Sequence, residues 1–238
     1  MESYSDFLYR ISYQQPELQI GEGRFTADNR VLEKVSHDNS FSSFYGDTVV
    51  FDLKDKAKKK ISAQIDTLYE EVPMCFAQRL DSSTLHMTLH DLSASSDLDS
   101  VSSDVFNNEV KLLRVLSENH IACETIDMRM NYIVNMVNTS LVMALVPENE
   151  NEWNKLQKLY TLIDEVRVCP YPYLTPHITL AYFNRSGFDM ESAAALKTVV
   201  RELNSKSIKI HLHTDHLVYQ KFLSMDNYID VFRLAKKL

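Results

Sequence analysis

The chain has 238 residues, 45% of them hydrophobic, and a formal net charge of -8 at neutral pH. Apolar content on that scale supports a real core and excludes disorder as the dominant state. The negative balance excludes tight, non-specific binding of long nucleic acid, which depends on many cationic contacts to phosphates, but leaves room for a small anionic ligand or an oligonucleotide end.

Residues 1–45 read as an arm or lid of unknown role: Gly21-Glu22-Gly23 makes a hinge-like break, and Ser, Asn and Asp cluster from Ser36 to Ser43. Met1 to Gln14 carries Glu2, Asp6 and Arg10 among its apolar residues and so lacks the core of a signal peptide. No apolar run approaches the roughly 20 residues that span a bilayer, so no membrane partner is expected. Cys75, Cys123 and Cys169 are odd in number, widely spaced and in no Cys-x-x-Cys pair. That argues against a disulfide framework or thiolate zinc site and for a reducing, cytoplasmic setting.

The body, residues 46–238, opens at the turn pair Gly46-Asp47 and a buried strand from Thr48 to Leu53. A helix follows with Ala57, Ile61, Ile65, Leu68 and Tyr69 at helical spacing, then a short strand from Met74 to Leu80, a polar turn at Asp81 to Ser83, and a strand through His86. Lys54, Lys56, Lys58, Lys59 and Lys60 read as a solvated helix face. After a loop from Ser93 to Ser103, a second helix sets Val105, Phe106, Val110, Leu113 and Leu116 on one side, and Ile121 to Val137 reads as one or two strands. The same order then returns: an apolar strand from Ser140 to Pro147, a helix with Trp153, Leu156, Leu159, Tyr160, Ile163 and Val166 inward, a loop from Cys169 to Pro176, and a strand from His177 to Phe183. A helix from Met190 to Leu203 and strands at Ile208 to Leu212, Leu217 to Leu223 and Tyr228 to Leu234 complete the chain.

Leu85-His86-Met87-Thr88-Leu89 and Pro176-His177-Ile178-Thr179-Leu180 share the pattern His-x-Thr-Leu. A strand turns alternate side chains to one face, so each copy presents its imidazole and hydroxyl together while Met87 or Ile178 points away. Thr48 lies 38 residues before His86 and Ser140 lies 37 before His177, so the motifs fall at equivalent points of a duplicated unit, residues 48–137 and 139–234. Two such units facing each other bring His86, Thr88, His177 and Thr179 to one groove.

Duplicated His-x-Thr strands from Thr48 to Leu234 resemble the 2H phosphoesterase superfamily, which includes the RNA 2′,3′-cyclic phosphodiesterases once called 2′-5′ RNA ligases. The resemblance implies an α+β fold of two antiparallel-sheet lobes flanked by helices about a central cleft, with His86, Thr88, His177 and Thr179 as the catalytic set and no cofactor or metal. It also implies a small nucleotide or RNA-end substrate. Histidine suits both proton transfers of a phosphodiester displacement, and the threonine hydroxyls suit the non-bridging oxygens as charge builds.

Strand parity adds His90 to the face of His86 and Thr88, and Phe183 to that of His177 and Thr179, while sending Tyr182 to the core. Phe183 and Tyr173 are therefore the candidates for stacking on a base, and Arg185 for a phosphate contact. Two other readings stay open: a nucleotide-binding module without turnover, and a structural or metal-binding protein using His211 and His213, which share a strand face near His216 and Asp215.

Overall fold

The computed structural model describes residues 2–168 and 173–235, which leaves Cys169 outside. A helix, α1 (Tyr4–Arg10), precedes strand β1 (Tyr45–Asp52), helix α2 (Asp55–Glu71), β2 (His86–Ser95), α3 (Leu98–Glu118) and β3 (Thr125–Met136). The second unit is β4 (Ser140–Pro147), α4 (Glu150–Asp164), β5 (His177–Tyr182), α5 (Met190–Asn204) and β6 (Lys209–His213), and β7 (Leu217–Ser224) and β8 (Asn227–Arg233) follow. They form two four-stranded antiparallel sheets of order β2-β1-β7-β8 and β5-β4-β3-β6, flanked by the helices, so the fold is α+β as expected.

Each sheet carries its motif strand at one edge, beside a strand whose residues are almost all buried. That burial is why β4 is a continuous apolar run and β1 sets Val49, Val50 and Phe51 in succession, while the motif strands begin by alternating. Sheet membership crosses the boundary between the repeats. β3 folds back on β4 through a tight turn closed by Thr139 N–H to the Met136 carbonyl, and so joins the second sheet, while β7 and β8 complete the first. A hairpin needs the least loop closure, so β3 pairs with β4 and β7 with β8, each with its immediate neighbour in sequence. Residues 48–137 and 139–234 thus exchange strands rather than each filling one lobe.

The arm is packed, not loose. Phe7 of α1 stacks on Trp153 at 4.2 Å, Phe25 stacks on Phe188 at 4.4 Å, and Leu18, Ile20, Val31, Val35 and Phe44 are buried. On the way to β1 the arm is held by Asn131 at Gln14, by Asn204 at the Pro16 carbonyl and by Asn135 at the Gln19 carbonyl.

Three local expectations are corrected. Met74 to Leu80 is not a strand: Pro73 starts a 3-10 turn over Pro73–Cys75, and only a single bridge, Phe76 to Phe183, follows. Asp97 caps a helix at the Asp99 N–H, so most of the expected Ser93 to Ser103 loop is strand end and helix start. On α3 the buried residues are Val101, Asn108, Leu112 and Val115, whereas Phe106, Val110 and Leu113 face solvent. Asn108 is drawn inward by Asp47 and Ser93, so the buried face contains a polar residue that an apolar pattern skips.

Candidate active site

The two motif strands, β2 and β5, lie against each other where the sheets meet. Met87 and Ile178 are fully buried, and His86, Thr88, His177 and Thr179 are half-buried, as the alternation requires. In both copies the ring Nδ1 is 2.7 Å from the carbonyl two residues earlier, Thr84 for His86 and Thr175 for His177. A carbonyl only accepts, so Nδ1 carries the proton in each, and Nε2 of the neutral ring is left as a lone pair. Among the described residues no hydrogen bond engages either Nε2 or the hydroxyls of Thr88 and Thr179. The repeat is therefore longer than His-x-Thr-Leu: it begins at Thr84 and Thr175, as Thr-x-His-x-Thr-Leu, a signal readable in the sequence.

Immediately after each threonine the strand carries a bulge. Thr88 pairs with Val50 and His90 with Val49, leaving Leu89 over; Thr179 pairs with Val142 and Ala181 with Leu141, leaving Leu180 over. An extra residue shifts the side-chain alternation by one. His90 is consequently turned inward, 1% exposed, with Nδ1 on the Asp91 carbonyl at 2.8 Å and Nε2 on Asp164 at 2.7 Å. It fastens β2 to α4 and is not a substrate contact. Phe183 is likewise corrected from stacking candidate to core: it is fully buried among Phe25, Phe76 and Phe188.

The same bulges bring forward residues that strand parity missed. Asp91 takes the place expected of His90, and its carboxylate favours the protonated form of His86. Tyr228 of β8 sets its ring edge-on to His86 at 5.0 Å. Tyr182 is buried as expected, in a small second core cluster with Phe222 and Met225 against which Tyr228 packs: its hydroxyl donates to Met225 Sδ, and its ring meets Phe41 and the Lys34 ammonium of the arm. Burial holds the pKa of His86 below its ordinary value, with the charge of His177 acting in the same direction and Asp91, Asp52 and the Thr84 carbonyl opposing. The two rings are thus near enough to feel each other's charge.

Arg185 is corrected from phosphate contact to clasp, because its guanidinium donates to the carbonyls of Val35 and Leu32 in the arm. Tyr173 is exposed and lies under the Arg10 guanidinium at 5.4 Å, in the loop that leads to His177. His211 pairs with Asp127 at 2.6 Å and His213 meets Thr125 at 3.1 Å; among the described residues no cluster of three or more His, Cys, Asp or Glu is placed to hold a metal. Lys58 is no freely solvated lysine, since it pairs with Asp52 at 2.7 Å. Two open hollows of about 500 Å3 flank Asp164, and neither is lined by a motif residue. No helix among the described residues is long and apolar enough to cross a membrane.

Similarity to solved structures lies in the fold. The crystal structure of ATU0111, a conserved protein of unknown function from Agrobacterium tumefaciens str. C58, aligns over 88% of this chain and 94% of that one, with a TM-score of 0.68 and 14% identity. The chain shares that fold. E. coli LigT complexed with NADP+ aligns over 79% of this chain and 96% of its own, with a TM-score of 0.45 and 13% identity. A structure named phosphoesterase aligns at a TM-score of 0.44 and 12% identity, over 81% and 99% of the two chains. No family model and no curated protein sequence matches the chain.

Proposed function

We propose that the chain is a metal-independent phosphodiesterase of the 2H type, hydrolysing a cyclic phosphodiester such as the 2′,3′-cyclic phosphate of a nucleotide or RNA end. The observation that carries this reading is the set of four groups, two Nε2 atoms and two threonine hydroxyls, that no described residue engages and that two adjoining strands display in the same way. In-line displacement at phosphorus needs a base and an acid on opposite sides of the phosphate, and two opposed histidines supply both.

His86 serves as the base, because burial favours its neutral ring. Its Nε2 takes a proton from water as the water oxygen bonds to phosphorus. The ester bond to the ribose oxygen breaks, and His177 as imidazolium gives that oxygen its Nε2 proton. The Nδ1 bonds to Thr84 and Thr175 persist in both protonation states and keep the rings aimed. Thr88 and Thr179 donate to the non-bridging oxygens as negative charge gathers on them.

The test is incubation with 2′,3′-cyclic nucleotides, 3′,5′-cyclic nucleotides and oligonucleotides ending in a cyclic phosphate, with EDTA present throughout. Turnover of the 2′,3′-cyclic class is expected. Turnover confined to the oligonucleotides would narrow the substrate to an RNA end, and turnover confined to the 3′,5′-cyclic class would reassign it to a nucleotide signal. Binding without turnover of any would make the protein a nucleotide-binding module instead.

A further inference from the structure

Each histidine is aimed by a carbonyl on a short segment just before its strand, so the site is only as rigid as those two segments. In the second half, Arg10 of α1 reaches into that segment. Its Nη2 donates to the Leu174 carbonyl at 2.8 Å and its Nη1 to Thr175 Oγ1 at 2.9 Å. Glu2 holds the same guanidinium at Nε and Nη2, at 2.7 and 2.9 Å, with a side chain only 5% exposed. Phe7 and Tyr173 lie against it, at 5.5 and 5.4 Å. Glu2 is itself pinned, because its carbonyl accepts from the Nε1 of buried Trp153 at 3.0 Å. A continuous chain of contacts therefore runs from the core through Trp153, Glu2 and Arg10 to Thr175, whose carbonyl holds His177.

The first half has a matching arrangement made from other parts. Lys58 of α2 donates to the Ser83 carbonyl at 2.6 Å and pairs with Asp52 at 2.7 Å. Ser83 precedes Thr84 as Leu174 precedes Thr175, so the cation takes the equivalent carbonyl in both halves. The acid differs because its strand position differs: Asp52 lies opposite His86 in the first sheet, whereas Ala144 lies opposite His177 in the second. With no carboxylate at Ala144, an acid and a cation come instead from the N-terminal segment.

We infer that Arg10 and Lys58 are paired positioning residues, each clamping the segment that fixes one histidine's tautomer and aim, and that the N-terminal segment is thereby a working part of the His177 site. Bidentate geometry suits Arg10 to this, since its planar fork spans a carbonyl and a hydroxyl on one side and a carboxylate on the other. For its effect on rate the inference rests on the two-histidine reading; for its effect on the rings it does not.

The experiment is nitrogen-15 NMR of the histidine side chains in the full chain, paired with steady-state kinetics on whichever cyclic phosphate is turned over. Arg10→Gln is expected to weaken the Nδ1–H tautomer of His177 and leave that of His86 unchanged, and Lys58→Gln to do the reverse. Each is expected to lower kcat about tenfold with KM little changed, because aim and not affinity is lost, and Arg10→Lys to restore only part of it. If Arg10→Gln does not fold, Thr175→Val removes the hydroxyl contact while keeping the Arg10 pair with Glu2, and the same loss at His177 is expected. Equal disturbance of both histidines by either variant, or an unchanged His177 tautomer in Thr175→Val and Arg10→Gln, would overturn the assignment. A tautomer change without any measurable turnover would keep the clamp and discard the phosphodiesterase reading.

Discussion

The two halves of the molecule use the same backbone device in different electrostatic settings. Both place a half-buried histidine at the start of an edge strand, bond its Nδ1 to the carbonyl two residues back at 2.7 Å, and insert a bulge after the following threonine. Around His86, however, stand Asp91, Asp52 and the Tyr228 ring, whereas the residue opposite His177 is Ala144. Duplicated geometry fixes where two rings can act, and the unlike surroundings decide that they need not act alike. Displacement at phosphorus requires a base and an acid in unlike states, and the burial that lowers the pKa of His86 suits that ring to the part of the base.

Removing either ring is the most severe way to break this comparison. His86→Ala and His177→Ala are each expected to lower kcat by about 10³-fold, within the range for general acid or base groups, with a far-ultraviolet spectrum like that of the parent chain. The double variant is expected to fall little further, since the two act as one unit. Full activity in either single variant would show that the motifs are matched in form and not in chemistry.

Much of the comparison was legible in the sequence, because strand alternation and helical spacing are local. The element order, the equivalent positions of His86 and His177, and the inward Met87 and Ile178 all follow from it. The bulges were not legible: Leu89 and Leu180 are ordinary apolar strand residues, and only pairing across to β1 and β4 reveals them as extra. Alternation read past each bulge therefore runs one step out of phase, which puts His90 where Asp91 stands and turns the buried Phe183 toward the site. Tyr228 and Arg10 reach the motif region from outside the repeat or its motif strands, and no spacing rule connects them to it. Thr84 and Thr175 stood in plain view as a further repeat.

The halves also differ in their interiors, and pH separates them. Asp47 of β1 is 1% exposed, and burial pushes its carboxyl up to about 6 even though Asn108, Tyr219 and Ser93 donate to it. A carboxyl whose folded pKa is raised binds its proton more tightly in the folded state. Its contribution is therefore fully present below the unfolded pKa near 4 and is lost as pH rises through about 6. The difference corresponds to about 3 kcal/mol. Denaturant unfolding between pH 4 and 7 should show this loss, and Asp47→Asn should flatten it. An equal slope in the variant would place the proton elsewhere.

A smaller contrast lies in the hairpins that complete the two sheets. The turn between β3 and β4 puts both central residues at positive φ, Val137 at 43° and Asn138 at 58°, whereas among the described residues the β7–β8 turn has none. Asn tolerates that region, but a β-branched side chain is strained there by about 1 kcal/mol. Val137 is exposed, so Val137→Asn loses little packing. It is expected to raise Tm by about 2 to 4 °C, and an unchanged or lower Tm would show that the turn bears no such strain.

The finest test concerns one charge beside one ring. Asp91 favours the imidazolium of His86, so Asp91→Asn lowers the pKa of that ring further. If His86 is the base, its protonation sets the acid limb of the kcat/KM profile, and the limb moves to lower pH in the variant. The alkaline limb, which reports loss of the acid's proton, stays in place because Asp91 belongs to the other half of the site. Asp52 and the Thr84 carbonyl continue to act on His86, so the shift is smaller than the full effect of its surroundings, and rates change less than tenfold at any pH. Movement of the alkaline limb instead would exchange the roles of His86 and His177, while keeping the asymmetry that distinguishes the two halves.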